Sequence, residues 1–475
     1  MSMGRRQRHQ QELLFIAASE LPEHGGHPFY DRVNRVLELC GFDDFVESLC
    51  EPHYAEGVGR PSIAPGVYFR LQMIGYLEGL DSERAIAWRV SDSLSLRAFL
   101  GYTLSDPTPD HSSLSRIRQR LPMEVHEQVF TWMVAALARA GLVQGKTIGL
   151  DATTLEANAA LKSIVRRDTG KGYDAFLTQL AQASGIATPT RSDLAKVDKD
   201  RKKKGNNDDW QHPHDPDAKI TKMKDGRTHL AHKVEHAVDF ASGAVVAVTV
   251  QWANEGDTTT WRDTVETACQ HLNDAKDDPI AQKNMNDEVV EELINDKGYH
   301  SNQVMADLKE IGIRSYTSEP NRGRRKWQDK EEARDAVYAN RRRIRGNRGK
   351  RLLRKRGELL ERSFAHIYDT GGMRRTHLRG HNNILKRLLV HVAGFNLSML
   401  MRHVFGVGTP RTLQNASAAL LRALLRLLRA WRAVCTRQTT TWRYILESGY
   451  VWVALKLFDA FKPKIASNVS FSTGC

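Results

Sequence analysis

The sequence predicts an α/β protein in which a mixed β-sheet is flanked by helices, an all-α domain precedes the sheet, and a helical extension follows it. Three observations predict this. Apolar residues recur at helical spacing between Gly59 and Gly141, the pattern of amphipathic helices. From Lys146 the period changes to two, the pattern of strands. Beyond the turn Ala241-Ser242-Gly243, strand-like and helix-like stretches alternate as far as Thr317, which implies a sheet with helices on both faces.

Taken in order, residues 1–58 read as a polar leader with one short helical stretch, around Tyr30 to Leu39. Val67, Leu71, Ile74 and Leu77 form the apolar stripe of a helix that Gly79 stops. Ser82 is a good N-cap for a second helix running to Val90. Leu94 to Leu100 is a third, and a fourth from about Ser112 carries Arg116, Arg118 and Arg120. Pro122 separates it from a fifth, Glu124 to Ala140. Residues 59–141 therefore read as a helical domain.

Thr147 to Leu150 is a short strand leading into Asp151. An insertion over about 155–230 follows, helical in parts, with Ser184 to Asp225 read as a polar loop. His232 to Phe240 and Ala244 to Trp252 are the arms of a hairpin. Asp257 to Ala275 is a helix, Val289 to Asn295 a strand ending at Asp296, Ser301 to Ile311 a helix, and Arg314 to Thr317 a short strand. A basic stretch, 321–356, continues into a helix over Glu358 to Tyr368 that carries Glu361. A basic turn from Gly371 to Gly380 leads to an apolar helix, His381 to Phe405. The sheet and its helices thus span 142–405, and 406–475 is a helical tail with an amphipathic basic helix over Thr412 to Cys435.

Lys plus Arg total 70 against 56 acidic residues, a net charge of +14, which favours a polyanionic partner. Nucleic acid fits better than a membrane, because no uninterrupted apolar run reaches the ~18 residues a spanning helix needs. The beginning has no apolar stretch of a secretory signal. Five cysteines without a Cys-x-x-Cys pair argue against a disulfide framework or zinc ribbon and for a reduced, cytosolic setting.

Three short segments carry the chemistry: Gly-Leu-Asp151-Ala-Thr-Thr, Ile-Asn-Asp296-Lys-Gly-Tyr and Leu-Leu-Glu361-Arg-Ser-Phe. Each sets one carboxylate beside an apolar or strand-like run. Far apart in sequence, they can converge only through a folded sheet. A pair of Mg²⁺ ions acting on a phosphodiester needs such a set, since one carboxylate cannot hold both. Alone, each acid reads as an ordinary turn, cap or surface residue.

With Gly-Arg-Pro-Ser-Ile-Ala-Pro65, Ser82-Glu-Arg84, Leu96 to Gly101 and Pro109 to Ser113 ahead of them, and Leu378-Arg-Gly-His381 and Asn396-Leu behind, these segments resemble bacterial insertion-sequence transposases of the DDE class over roughly Gly59 to Pro410. The resemblance implies an RNase H-like catalytic domain. It implies metal-dependent cleavage of double-stranded DNA at terminal inverted repeats and transfer of the freed 3′-hydroxyl into target DNA. Asp151, Asp296 and Glu361 are the implied catalytic and metal-binding residues, for two Mg²⁺ ions with Mn²⁺ as a substitute. Many relatives carry a Tyr, an Arg, the Glu and a Lys at fixed spacing. Here Tyr338 and Arg341 keep the first interval, but an extra basic stretch precedes the acid, and Tyr368 stands where the Lys is expected. Glu358, one turn earlier, is the rival third acid. A homodimer or higher synaptic complex acting at the bacterial nucleoid follows from the need to join two ends.

The basic residues divide into three groups. Arg341, Arg342, Arg343, Arg345, Lys350 and Arg354 belong to a tract too dense in charge to be a self-sufficient helix face and are expected to contact DNA phosphates. Arg116, Arg118 and Arg120 could enter a groove of the DNA, with a plain surface helix as the alternative. Arg374 and Arg375 lie in the basic turn. His212, His214, His229, His232 and His236 do not make a zinc site, having no cysteine nearby. Trp327 reads as core rather than a base-stacking residue, and the Leu-rich tail helix as a packing or oligomer surface. Two rival functions remain: a transposase-derived DNA-binding protein without catalysis, and a nuclease that cuts without joining.

Overall fold

The computed structural model describes residues 26–55, 62–201, 205–223, 225–321, 323 and 325–413. Gly59-Arg60-Pro61, Lys202 to Lys204 and nearly all of the helix expected from Thr412, with the tail beyond it, lie outside the described residues.

Among the described residues, seven α-helices come first: α1 (Pro28–Leu39), α2 (Phe42–Cys50), α3 (Pro65–Glu78), α4 (Glu83–Ser91), α5 (Leu94–Phe99), α6 (His111–Arg120) and α7 (Met123–Arg139). The stops and caps follow the sequence. Gly79 closes α3 in the left-handed conformation, and the Ser82 hydroxyl accepts from the Ala85 N–H to start α4. Among the described residues, two helices, not one, occupy the stretch read as a leader. Phe42 and Val46 of α2 are buried, and Phe42 meets Phe69 of α3 and Trp132 of α7. Asp110 caps α6.

The sheet begins with β1 (Thr147–Glu156). The insertion then contributes β2 (Val165–Arg166), α8 (Tyr173–Ala183), α9 (Arg191–Asp200), β3 (Trp210–Gln211) and β4 (Lys219–Lys222). It is therefore not the loop its polarity suggested: Thr190 and Asp193 form a reciprocal capping box that starts α9, and Trp210 anchors a small core with Ile164 and Leu230. Next come β5 (Thr228–Asp239), β6 (Val245–Trp252), α10 (Asp257–Ala275), α11 (Pro279–Asn284), β7 (Glu292–Asn295), α12 (Asn302–Glu310), β8 (Arg314–Thr317), α13 (Glu331–Arg345), α14 (Asn347–Phe364) and α15 (His381–Phe405). A π-helical turn, Ala365–Thr370, extends α14.

Strands run β4-β5-β1-β7-β8, with β6 also on β5. β4, β5, β6 and β1 pair antiparallel, whereas β1, β7 and β8 are parallel. The expected α/β class, a mixed sheet flanked by helices behind a helical region, is what the chain adopts. One element differs in a way that matters. The strand expected to stop at Leu150 continues to Glu156, because twelve-residue β5 keeps pairing with it down to Ala231. Asp151 therefore lies within a strand.

α15 ties the helical layer to the sheet. Asn396 donates to the Val245 carbonyl and accepts from its N–H, satisfying the start of β6. On α3, Arg387 donates to the backbone and side chain of Gln72, and Tyr76 meets Ser398. This helix is apolar and long enough to cross a membrane, but 83% of its apolar window is buried within the protein. It is built as a core helix. The described residues up to Pro410 belong to one compact unit.

Candidate active site

β1 and β7 run parallel, with Gly149 opposite Ile294. Asp151 comes two residues further along β1, and Asp296, two residues past Ile294, is the first residue beyond the end of β7, so both acids lie at the same end of the parallel pair. Their proximity is felt electrostatically. Burial pushes the Asp151 carboxyl above its ordinary range, Arg356 draws it back, and the charge of Asp296 adds to the rise. Asp151 Oδ2 accepts from Arg356 Nη1 at 2.8 Å, and Oδ1 from the Ala152 N–H at 2.9 Å.

Asp296 follows the last residue of β7 and caps a single 3₁₀ turn, Lys297–Tyr299. Its Oδ1 accepts from the Gly298 N–H at 2.7 Å. Glycine lets the two carboxylates close over it: a Cβ on Gly298 would stand 2.5 Å from Asp257 Oδ2 and 3.0 Å from Asp296 Oδ1, so either side chain would have to turn away. Asp257, in the first turn of α10, thus comes close to Asp296. Asp257 Oδ1 pairs with Lys233 Nζ at 2.7 Å, and that ammonium also donates to Thr260 Oγ1 at 2.8 Å. Glu235, fully buried on β5, accepts from Tyr299, Thr260 and Thr264. Burial raises the Glu235 carboxyl, its hydrogen bonds opposing the rise.

The sequence reading missed Asp257, Lys233, Glu235 and Gly298. One signal for two of them was present: Lys233 and Glu235 put charges two residues apart in a strand otherwise rich in Val and Ala, hence on one face.

α14 crosses the sheet, packing Leu352 and Leu359 on Ile294, Tyr316 and Phe240. At about 100° per residue, Arg356 belongs to the inward stripe of Leu352, Leu360 and Ser363. Glu361 falls on the opposite side with Lys350, Arg354 and Glu358, all exposed. The Glu361 side chain leans back along the helix, its Oε1 4.0 Å from the position a Cβ on Gly357 would take. The structure thus brings Asp151 and Asp296 together and leaves Glu361 on the outer face. Among the described residues, no three Asp, Glu, His or Cys side chains are grouped closely enough to hold one ion as they stand.

The basic residues separate by burial. Arg342, Arg345, Lys350 and Arg354 are exposed. Arg341 is engaged by both oxygens of Glu319, at 2.6 and 2.7 Å, and Arg343 by the Ser315 carbonyl and hydroxyl. Arg118 is a correction to the sequence reading. It is 5% exposed and pairs with Glu83 inside the helical layer, because its place on α6 faces α4. Arg116 and Arg120 line an open cleft of about 470 Å³, with Arg120 over the Tyr54 ring. Arg374 pairs with Asp369 and donates to Thr153 Oγ1, two residues from Asp151, and Arg375 stands 3.8 Å from Glu156.

Of the histidines raised as zinc candidates, His236 donates to or accepts from the Tyr368 hydroxyl at 2.5 Å, so the tyrosine standing where a lysine was expected is buried. His232 meets Asp215 at 3.3 Å. The other Asp215 oxygen accepts from the Gly380 N–H, and Asp217 accepts from that of His381. The segment Leu378-Arg-Gly-His381 thereby holds the insertion against the sheet.

Two family models match the chain. One, described as Transposase domain (DUF772), covers residues 18–120. The other, described as Transposase DDE domain, covers residues 207–397. Asp296 and Glu361 fall within the second match, and Asp151 lies between the two. No curated protein and no solved structure matches the chain.

Proposed function

The chain belongs to the DDE transposases, with the transposase domain ahead of the DDE domain in one polypeptide, and from that premise we propose that it cuts DNA at the terminal inverted repeats of a mobile element and joins the freed 3′-hydroxyls to target DNA. The observation that carries this is the nearness of Asp151, on β1, to Asp296, the first residue past the end of the neighbouring parallel strand β7. The strand order, three antiparallel neighbours followed by two parallel ones, supports an RNase H-like reading of the sheet.

The residues fit divalent ions. Carboxylate oxygens are the donors Mg²⁺ and Mn²⁺ prefer, and the oxygens of Asp296 and Asp257 crowd together over Gly298. Asp151 and Asp296 would hold the ions, with Glu361 as the third acid by its motif. Such ions, two in this reading, supply Lewis acidity for the attacking and leaving oxygens.

The remaining work falls to the chain. Asp296 is held by its own turn, through the Gly298 N–H. The exposed Arg342, Arg345, Lys350 and Arg354 offer charge to phosphates, a contact that positions DNA without reading its sequence. Arg116 and Arg120 face a cleft that suits a second DNA contact. Joining two ends requires two active sites, hence a dimer or higher assembly.

A second reading, a DNA-binding relative without catalysis, is favoured by the outward position of Glu361. One experiment separates them. With Mg²⁺ and duplexes carrying the element's ends, the chain releases 3′-hydroxyl ends and joins them to target. Asp296→Asn abolishes both steps and retains DNA. Cleavage surviving in that variant rules out the site; retention of ends with no cutting by the wild-type chain supports the second reading.

A further inference from the structure

Arg356 is the one residue of the basic tract 350–356 that sits in the sheet-facing stripe and touches an acid of the site. Leu352 and Leu360, four residues to either side, are buried, so helical phase calls for an apolar residue at 356. Its guanidinium instead takes Asp151 Oδ2 at 2.8 Å, with side-chain exposures of 20% and 23%. The other oxygen, Oδ1, accepts from the Ala152 N–H. Both oxygens of Asp151 are therefore engaged, and a positive charge stands beside a carboxylate whose neighbour, Asp296, repels it.

Resting on the reading of Asp151 and Asp296 as the ion-holding pair, we propose that Arg356 is the resident counter-cation of that pair. Without an ion it neutralises Asp151 and keeps two like charges tolerable on adjacent strands. When a divalent ion arrives, the guanidinium gives up Oδ2, since two cations cannot share it without repulsion. Released, it lies at the site with its donors free for a DNA phosphate, a group whose geometry suits a guanidinium. Arg356 is thus a positioning residue that competes with the ion. A purely structural pair would stabilise the fold without competing.

The test is Mn²⁺ binding by the full chain, free Mn²⁺ being read by electron paramagnetic resonance, with unfolding temperatures measured with and without Mn²⁺. Arg356→Gln is expected to bind Mn²⁺ about five-fold more tightly, the scale of losing one partly exposed ion pair. It should unfold at lower temperature without the ion and recover when saturated with it. Arg356→Lys, with a shorter reach, falls between the two and serves if the Gln variant fails to fold. Unchanged or weaker Mn²⁺ affinity in both variants overturns the proposal. Asp151→Asn and Asp296→Asn test the underlying reading separately: each should lose Mn²⁺, and wild-type affinity in both removes the ion site, whatever Arg356 does.

Discussion

Arg118 and Glu83 form an ion pair between α6 and α4 with side-chain exposures of only 6% and 10%. Ser115 and Asn383 accept the remaining guanidinium donors. Removing one partner leaves an uncompensated charge in a nearly dry place. Arg118→Ala should therefore cost about 3 kcal/mol of stability, measured by denaturant unfolding, while Arg116→Ala on the exposed side of the same helix leaves the midpoint unchanged. Equal midpoints for the two variants would place Arg118 back on the surface.

Gly298 gives a sharper test of the site. An added Cβ meets the flexible ends of Asp257 and Asp296 rather than backbone, so both side chains turn away at little structural cost. Gly298→Ala is expected to keep the unfolding midpoint within about 1 kcal/mol, as for substitutions that avoid the core. Metal-dependent cleavage should fall on the order of ten-fold, because small displacements of positioned groups are costly to catalysis. Full activity in this variant would mean that the turn does not need its present geometry.

Buried histidines make the fold sensitive to acid. Burial pulls His126 down to about 4 and His236 to about 3, against an ordinary value near 6.5. Between those values the unfolded chain binds protons that the folded chain refuses, so stability falls as pH drops below about 6.5 and goes on falling until the folded values are reached. Asp239 and Glu235, raised by burial, act with the opposite sign: they favour the folded state as pH falls through their folded values. The histidine contribution is isolated by His126→Gln, which should reduce proton uptake on unfolding at pH 5 by about one proton. An unchanged uptake would show that His126 is charged in the folded state.

The basic residues predict a divided response to salt. Arg342, Arg345, Lys350 and Arg354 are exposed, with no ion-pair partner among the described residues. Neutralising each should weaken DNA retention evenly across sequences and lower the slope of log affinity against log salt by about one. Arg341, held by both oxygens of Glu319, should change that slope far less. A larger effect from Arg341 than from Arg354 would reverse this assignment.

How much was legible in the sequence varies by residue. Ser82, Gly79 and the turn at Gly243 could be read directly, because caps and turns depend on residues within a few positions of one another. The hairpin arms and the helices α10, α12 and α15 also followed from periodicity, whereas α11, α13 and the first half of α14 were not read as helices. Three further features did not follow. β1 continues past Asp151 because β5, eighty residues away in sequence, is long enough to pair with it. The insertion forms helices and short strands because Trp210 and a capping box organise a segment of polar composition. Arg118 and Arg354 look alike in a list of basic residues, yet one is buried and the other exposed.

The sequence by itself determined the caps, the hairpin and the family, and it singled out Asp151 and Asp296, since local pattern and strand period are written residue by residue. Tertiary structure alone decided which cations remain available, that Arg356 turns inward to Asp151, that Asp257 approaches Asp296 across Gly298, and that Glu361 points outward. Helical phase relative to a particular sheet, and the partner each charge finds, depend on how distant segments pack. Spacing along the chain carries no record of that.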